Sequence, residues 1–105
     1  EDQKLSNIYS RNNSSLQPWT ANPALVLVSG LDFDNNHNLW VANSGAPRLL
    51  SVLKANGKWE SFQLGPSLSS IDVGGLMVDK NNDIWIKKRN NGMVIVYNYN
   101  GTVDN

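Results

Sequence analysis

Four oxygen-bearing side chains alternate along one short polar stretch, in the order Asp32, Asp34, Asn36 and Asn38. Alternate oxygen ligands have the spacing of a calcium loop, but a loop of the EF-hand type also needs glycine at its sixth position and glutamate at its twelfth. Those two places hold His37 and Asn43. Turn chemistry predicts instead that Asp34, like Asp79 later in the chain, begins a hairpin turn and accepts hydrogen bonds from its own backbone. We therefore predict no metal site.

His37 is the only histidine in the sequence. Catalysis by a histidine needs a nucleophile or an orienting acid beside it, and the residues around His37 mark neither. A histidine in a polar turn is most often simply solvated. We therefore expect no enzymatic activity, no catalytic residue and no cofactor.

Two tryptophans and one cationic run are the residues best suited to binding a ligand. Trp19 lies in a proline-containing loop and Trp59 near the start of a predicted strand. Either ring could stack on a sugar, although packing is the more frequent role of tryptophan. The run Lys87-Lys88-Arg89 could contact an anionic ligand or a glycan, or could form a solvated turn. The candidate ligand-binding residues are therefore Trp19, Trp59, Lys87, Lys88 and Arg89.

Two stretches of the chain, residues 30–41 and residues 75–86, are versions of one another. At an offset of 45 residues the same residue type recurs at five positions, namely Gly30, Leu31, Asp34, Asn36 and Trp40. A period of roughly 40–50 residues with a tryptophan-bearing strand in each unit is typical of β-propeller blades. The repeat therefore predicts an all-β fold of about two four-stranded antiparallel blades, as a fragment of a larger propeller.

The strands are expected at the apolar runs, separated by the turn residues between them. The predicted strands cover residues 4–11, 24–33, 39–42, 49–53, 58–64, 73–78, 83–87 and 93–97. Residues 34–38 should form the first hairpin turn, and Asn56-Gly57 is a strong signal for another. No window combines helical spacing with helix caps, so we predict essentially no helix.

Residues 30–72 supply the four strands of a first blade, and residues 73–105 supply three strands of a second, incomplete blade. Residues 4–29 add an N-terminal strand and a loop. That strand either is the outermost strand of a preceding blade or pairs with the third strand of the second unit, and the sequence favours neither. The chain has no initiating Met and no signal-peptide pattern, so we interpret it as a piece of a longer or processed protein.

Residues 39–42 and 84–86 are apolar at consecutive positions rather than at alternate ones. Strands of this kind are covered on both faces, as they are when blades stack around an axis. We therefore expect Trp40 and Trp85 to lie in the core between blades and to occupy equivalent places.

The composition excludes several classes of partner. The 105-residue chain carries nine Lys plus Arg and nine Asp plus Glu, so its formal net charge is zero. Nucleic-acid binding needs a cationic surface, so we expect no nucleic-acid partner. The longest apolar runs have five residues, far fewer than the roughly 20 that span a bilayer, so we expect no membrane insertion of this segment. The chain lacks cysteine, so disulfides cannot brace it.

A set of short motifs runs through the first unit: Gly30-Leu31, Asp34, Asn38-Leu39-Trp40-Val41 and Gly57-Lys58-Trp59. These motifs resemble the two-component regulator propeller repeats of Bacteroidetes proteins. Three further segments look similar to PorZ-like proteins within that group, namely Asn43-Ser44, residues 92–97 and Asn100-Gly101-Thr102. The resemblance covers most of residues 28–102. The sequence departs from the usual repeat at His37 and Asn82, where the turn often carries glycine, which leaves the turn geometry open.

The resemblance implies two non-catalytic functions. Paired propellers of hybrid two-component sensors in this family lie in the periplasm and bind glycan fragments, so the first expectation is a periplasmic sensor module for signal transduction that binds a glycan. PorZ-like proteins serve type IX secretion at the cell surface, so the alternative is a scaffold or adaptor of that machinery. The other expected partners are the remaining blades of the parent protein or further copies of the chain, because two blades cannot close a ring of about four to eight.

Overall fold

The computed structural model describes residues 8–23, 25–65, 71–89 and 94–98. Within these residues the chain forms strands and turns and contains no helix, so none that could cross a membrane. The strands are β1 (Val28–Phe33), β2 (Leu39–Asn43), β3 (Leu50–Leu53), β4 (Trp59–Phe62), β5 (Val73–Val78), β6 (Asp83–Lys88) and β7 (Val94–Asn98). Strands β2 to β7 lie close to their predicted ranges, whereas β1 is shorter because residues 25–27 are not in a strand. The predicted positions 4–7, 24, 93 and 100–101 lie outside the described residues.

The strands form two antiparallel sheets, one in the order β1-β2-β3-β4 and one in the order β5-β6-β7. Both sheets contain the same irregularity. The pairing shifts between Val28 and Gly30 in β1, and between Val73 and Gly75 in β5. Such a shift is typical of a β-bulge, which bends a strand and increases its twist. The sequence repeat is therefore a repeat of strand register, and the sheets are two blades of a propeller-like fold, as predicted.

The β1–β2 turn and the β5–β6 turn have the same geometry. The backbone N–H of Asp34 bonds across the first turn to the carbonyl of Asn38 at 2.9 Å, and the equivalent bond of the second turn begins at Asp79, at 3.0 Å. At equivalent places His37 and Asn82 adopt left-handed φ angles of 68° and 65°. The sequence did not determine the geometry of these turns, because His37 and Asn82 stand where the repeat often has glycine. The structure shows the same turn geometry in both blades.

The two sheets pack face to face around a core of buried side chains: Trp40, Ala42, Leu49, Leu50, Val52, Val73, Ile84 and Ile86. The Trp40 ring stacks on Phe62 of its own sheet with a centroid distance of 5.9 Å. It also contacts Tyr97 of the second sheet, at 6.2 Å. Burial of one large apolar side chain contributes roughly 1.5–3 kcal/mol. Apolar contact across this core is therefore the main attachment between the blades.

Strands β1 and β5 approach closely at one edge of this core. A Cβ atom added at Gly30 would lie 2.6 Å from the backbone nitrogen of Leu76, so no larger residue fits there without a shift. Two residues further on, the Asp32 carboxylate accepts a hydrogen bond from the Val78 N–H at 2.9 Å. These contacts fix the first strand of one blade against the first strand of the next.

The opposite end of the blades is held by the segment that follows β2. The Ser44 hydroxyl donates to the Asp72 carboxylate at 3.0 Å and accepts from the Val73 N–H at 2.9 Å. The N–H of Gly45 donates to the Ile71 carbonyl at 2.7 Å. Because polar bonds join the blades at both ends, the two sheets have a defined relative position.

The predicted N-terminal strand is wrong in its described part, because residues 8–11 make no strand pairing. The segment instead lies on the back face of the first sheet, the face turned away from the second sheet. Tyr9 packs edge-to-face on Trp59 with a centroid distance of 5.3 Å. The Ser15 hydroxyl donates to the Ser51 hydroxyl at 3.0 Å. The segment is thus fixed by side-chain contacts rather than by a backbone ladder.

The two tryptophan strands differ in burial. Trp40 is fully buried, whereas Trp85 is 39% exposed. The prediction that both rings lie in the core between blades is therefore confirmed for Trp40 and wrong for Trp85. The reason is that the first sheet covers one face of the second sheet, while no described residue covers the other face. The two residues still occupy equivalent strand positions, since each lies opposite the same place in the preceding strand, Asp32 or Met77.

Candidate functional site

Each blade contains one hairpin in which an aspartate binds both the turn backbone and a tryptophan ring. In the first hairpin, Asp34 Oδ1 accepts from the N–H groups of Asn36 and Asn38 at 2.8 and 3.0 Å. Its Oδ2 accepts from Nδ2 of Asn38 at 2.9 Å and from Nε1 of Trp40 at 3.0 Å. Asp34 therefore builds the turn, as the sequence predicts, and also orients the core tryptophan.

The second hairpin repeats this arrangement. Asp79 Oδ1 accepts from the N–H groups of Asn81 and Asp83 at 2.8 and 3.0 Å. Its Oδ2 accepts from Nε1 of Trp85 at 2.9 Å. The orientation of the Trp85 ring is thus fixed in the same way as that of Trp40, although Trp85 is not covered.

Hydrogen bonding keeps both carboxylates ionised. Burial raises the pKa of Asp34, but the hydrogen bonds from Trp40, Asn38 and Asn36 together outweigh burial and hold the pKa below its ordinary value. The hydrogen bond from Trp85 is the largest cause of the lowered pKa of Asp79. A carboxylate with a lowered pKa is a poor proton donor at neutral pH. The two groups therefore suit anchoring rather than general acid catalysis.

Three of the four alternating oxygen side chains of the first turn, those of Asp32, Asp34 and Asn38, accept hydrogen bonds from protein donors. Asp32 accepts from the N–H of Phe33 at 2.9 Å, in addition to its bond from the second blade. Asn38 Oδ1 accepts from the N–H of Ala55 at 2.9 Å. In the described ranges, no group of three or more His, Cys, Asp or Glu residues is placed to hold a metal ion. His37 is exposed at the tip of its turn.

Trp19 lies in the loop before β1 and is half-buried. Its ring packs so closely on the backbone of Gly45 that a Cβ atom there would lie 2.0 Å from the ring. A shallow hollow of about 390 Å³ lies beside it, lined by Gln17, Pro18, Trp19, Thr20, Pro23 and Pro47. The side-chain Oε1 of Gln17 in this hollow already accepts from the Arg48 N–H at 2.8 Å. The hollow therefore presents mainly proline and tryptophan surface.

Trp59 lies at the other end of the first sheet from Trp19. It begins β4 and pairs with Leu53, which in turn lies opposite Leu39 at the start of β2. Its ring is half-buried and packs against Tyr9. Trp19 and Trp59 therefore cannot form one aromatic platform for a single small ligand.

The cationic run ends β6, and its members have different environments. Arg89 pairs with Asp72, with Nε and Oδ1 at 3.2 Å. Lys87 is exposed and lies on the same face of β6 as Trp85, whereas Lys88 is half-buried. The structure thus brings the five candidate residues to several separate surfaces and gives Arg89 a bond within the fold.

Two blades that cannot close a ring are expected to expose apolar surface, and the structure places such a surface on the face of the second sheet that no described residue covers. We call it the open face and define it by the side chains on that face: Gly75, Met77, Trp85, Lys87, Val94 and Val96. A hollow of about 340 Å³ lies within it. The signal in the sequence is the row of apolar residues at 84–86, which is typical of a strand that packs against a neighbouring blade.

A solved structure offers a comparison for this architecture. The chain is similar to PorZ, which is described as an essential bacterial surface component of the type IX secretion system of human oral-microbiomic Porphyromonas gingivalis. The similarity has a TM-score of 0.72 and a sequence identity of 25%, and it covers 90% of this chain and 13% of that chain. No protein-family model matches the sequence, and a search of curated proteins gives no match. The comparisons therefore support a PorZ-like fold and do not confirm the two-component regulator propeller family.

Proposed function

We propose that this chain is a non-catalytic scaffold module of a bacterial cell-surface protein that serves type IX secretion. The observation that carries the proposal is the similarity to PorZ over 90% of the chain. PorZ is described as a surface component of that system, and we infer a surface location for this chain by analogy. Because the chain spans 13% of the length of PorZ, the proposal concerns one segment of a scaffold.

The polar side chains of the fold support a structural role, because the protein itself uses them. Asp34 and Asp79 each orient a tryptophan and hold a turn. Asp72 accepts bonds from Ser44 of the first blade and from Arg89 of the second, so one carboxylate links both sheets. A scaffold requires fixed relative positions of this kind, whereas catalysis requires groups whose reactive atoms remain available.

We further propose that the partners of the module are other blade-type sheets. Two blades do not close a propeller, whose rings contain about four to eight. The open face is apolar, and an exposed apolar patch of this kind is typical of an interaction surface. The module would thus extend a larger β-structure on the cell surface.

The glycan-sensing alternative requires candidate residues that converge on one ligand. Trp19 and Trp59 lie at opposite ends of the first sheet, while Lys87 lies on the open face of the second. A short glycan would contact one of these places alone. The arrangement therefore gives the scaffold role more support than the sensor role.

A genetic experiment tests the scaffold role. An in-frame deletion of residues 8–98 in the source bacterium should strongly reduce the release of type IX cargo into the medium, measured by immunoblotting. The wild-type segment should restore release, and Lys88→Ala should restore it equally because the scaffold does not depend on that cation. Normal cargo release after the deletion would overturn the proposal. Glycan-array binding that is lost in Lys88→Ala, together with normal secretion, would support the sensor instead.

A further inference from the structure

The open face exposes large apolar side chains that a folded protein usually covers. Met77, Val94 and Val96 are 54%, 52% and 51% exposed, respectively, and Trp85 lies between them. These residues come from all three strands of the second sheet, so the patch is continuous across the sheet. Apolar patches of this extent mark interaction sites in soluble proteins.

The open face is the repeat of a face that is already an interface. Position by position, the residues of the first sheet that face the second sheet correspond to it: Gly30 to Gly75, Asp32 to Met77, Trp40 to Trp85, Ala42 to Lys87, Leu50 to Val94 and Val52 to Val96. Among these, Trp40, Leu50 and Val52 form the centre of the inter-blade core. Asp79 gives the Trp85 ring the orientation that Asp34 gives Trp40. The open face therefore has the arrangement of a surface that packs against another blade.

The chain also carries the other half of the same interface. Leu76 and Val78 of β5 pack against the core from the second sheet. Their equivalents in β1 are Leu31 and Phe33, which lie on the back face of the first sheet and are 58% and 61% exposed. The open face and the β1 part of the back face, which together correspond to the two sides of the contact between the blades, are thus exposed on one molecule.

We propose that the open face binds the back face of the first sheet of a second copy of this chain, in a head-to-tail arrangement. This interface repeats the contact between the two blades of one chain, with Trp85 in the place of Trp40 and with Leu31 and Phe33 in the place of Leu76 and Val78. Interfaces of the head-to-tail type join different surfaces and can extend or close into a ring. The inference concerns self-association and does not depend on the secretion role.

The contact between copies should be weaker than the contact within one chain, for three physical reasons. Met77 replaces Asp32, whose carboxylate accepts the Val78 N–H across the internal interface, so that bond has no counterpart. In addition, residues 8–17 cover part of the back face and leave mainly β1 for the incoming sheet. The two blades of one chain also benefit from a covalent connection, which raises their effective concentration. Association should therefore depend on protein concentration.

Two exposed substitutions test the arrangement. Val96→Lys places a charge on the open face, and Phe33→Lys places one on the back face; both side chains are more than half exposed, so the fold should persist. Light scattering across a concentration series should show association of the wild-type chain. Each variant alone should associate roughly tenfold more weakly or not at all, because it lacks one half of the contact. Gln63→Lys, an exposed position outside both surfaces, is the charge-matched control and should behave as the wild type.

Mixing the two variants distinguishes the head-to-tail arrangement from other contacts. An equimolar mixture of Val96→Lys and Phe33→Lys should form a dimer that does not grow, because one intact surface of each type remains. A wild-type chain that stays monomeric at all concentrations would overturn the proposal. Self-association of Phe33→Lys as strong as that of the wild type, or failure of the mixture to dimerise, would also overturn it. Circular dichroism checks folding, and the milder pair Val94→Thr and Leu31→Thr repeats the test if either lysine variant unfolds.

Discussion

Trp40 in the first blade and Trp85 in the second occupy equivalent strand positions and donate to equivalent carboxylates, at 3.0 and 2.9 Å. Their hairpins share the same backbone turn bonds and a left-handed residue at the same position. The first ring is nevertheless fully buried, and the second is 39% exposed. Local sequence therefore determines the hairpin and the ring orientation, whereas the neighbouring sheet determines burial.

The largest expected effect separates the two tryptophans. Trp40→Ala should lower the free energy of unfolding by about 3–5 kcal/mol, because it removes a buried ring from the inter-blade core. Trp85→Ala should cost less than half as much, because part of that ring is already in water. Urea unfolding followed by circular dichroism in dilute solution measures both. Equal losses for the two variants would contradict the assignment of Trp85 to an uncovered face.

The next comparison is between Gly30 in the first blade and the equivalent Gly75 in the second. A Cβ atom at Gly30 would meet the Leu76 backbone at 2.6 Å, whereas one at Gly75 would meet nothing within 4 Å. Gly30→Ala should therefore destabilise the protein by about 1–3 kcal/mol through overpacking. Gly75→Ala should be neutral or stabilising by a few tenths of a kcal/mol, roughly, because alanine restricts the unfolded chain. The same urea experiment compares them, and a loss in Gly75→Ala equal to that in Gly30→Ala would mean that the two blades do not differ in this way.

These differences explain how far sequence could predict the fold. The repeat of Asp34 and Trp40 at Asp79 and Trp85 predicted the strands and the turns, because both depend on neighbours along the chain. It could not predict the exposure of Trp85, because two near-identical hairpins differ there only in what lies across space. Burial depends on tertiary contacts. The apolar pattern of a strand indicates that the strand can be covered on both faces, but it does not show whether another sheet covers it.

The N-terminal segment shows a second source of error. Leu5, Ile8 and Tyr9 have the composition of a strand, and a strand was predicted over residues 4–11. In the described part, Tyr9 instead packs its ring on Trp59 without pairing its backbone. Strand propensity depends strongly on context, so side-chain packing can override it. The candidate site was harder still to predict, because the pairing of Arg89 with Asp72 depends on β5 and β6 lying side by side.

Acid should weaken the first hairpin through Asp34. The pKa of Asp34 is lowered in the folded protein, so the unfolded chain binds the proton first as the pH falls. Its contribution to stability is therefore complete above the unfolded value of 3.8 and is lost as the pH falls through the lower folded pKa. Asp34→Asn should cost about 1 kcal/mol at pH 7, since an amide accepts on one oxygen only, and should flatten the stability profile below about pH 4. Urea unfolding at pH 7 and in steps below pH 4 measures both effects.

Asp79→Asn is the matched control for that experiment, because Asp79 makes the equivalent bonds in the exposed hairpin. The pKa of Asp79 is also lowered, so the direction of the acid effect is the same. Its effect should be smaller than that of Asp34→Asn, since solvent competes for these bonds. If Asp79→Asn lowered the free energy of unfolding more than Asp34→Asn does, the prediction that the covered hairpin contributes more to stability would be wrong.

The smallest effect comes from the left-handed turn residues. His37 adopts a φ of 68°, a left-handed conformation that is strained for a residue with a Cβ atom. Glycine has no Cβ and removes this strain, and the conformational entropy that glycine loses on folding costs less than the strain that it relieves. His37→Gly should therefore stabilise the protein by about 0.5 kcal/mol, which raises Tm by about 2–4 °C in a domain of this size. Asn82→Gly should give no gain, because asparagine tolerates this conformation and because its Oδ1 accepts from the Asn35 N–H of the other blade at 2.8 Å. Thermal melts of the two variants decide the point, and equal stabilisation by both glycines would show that the bond between the turns contributes nothing.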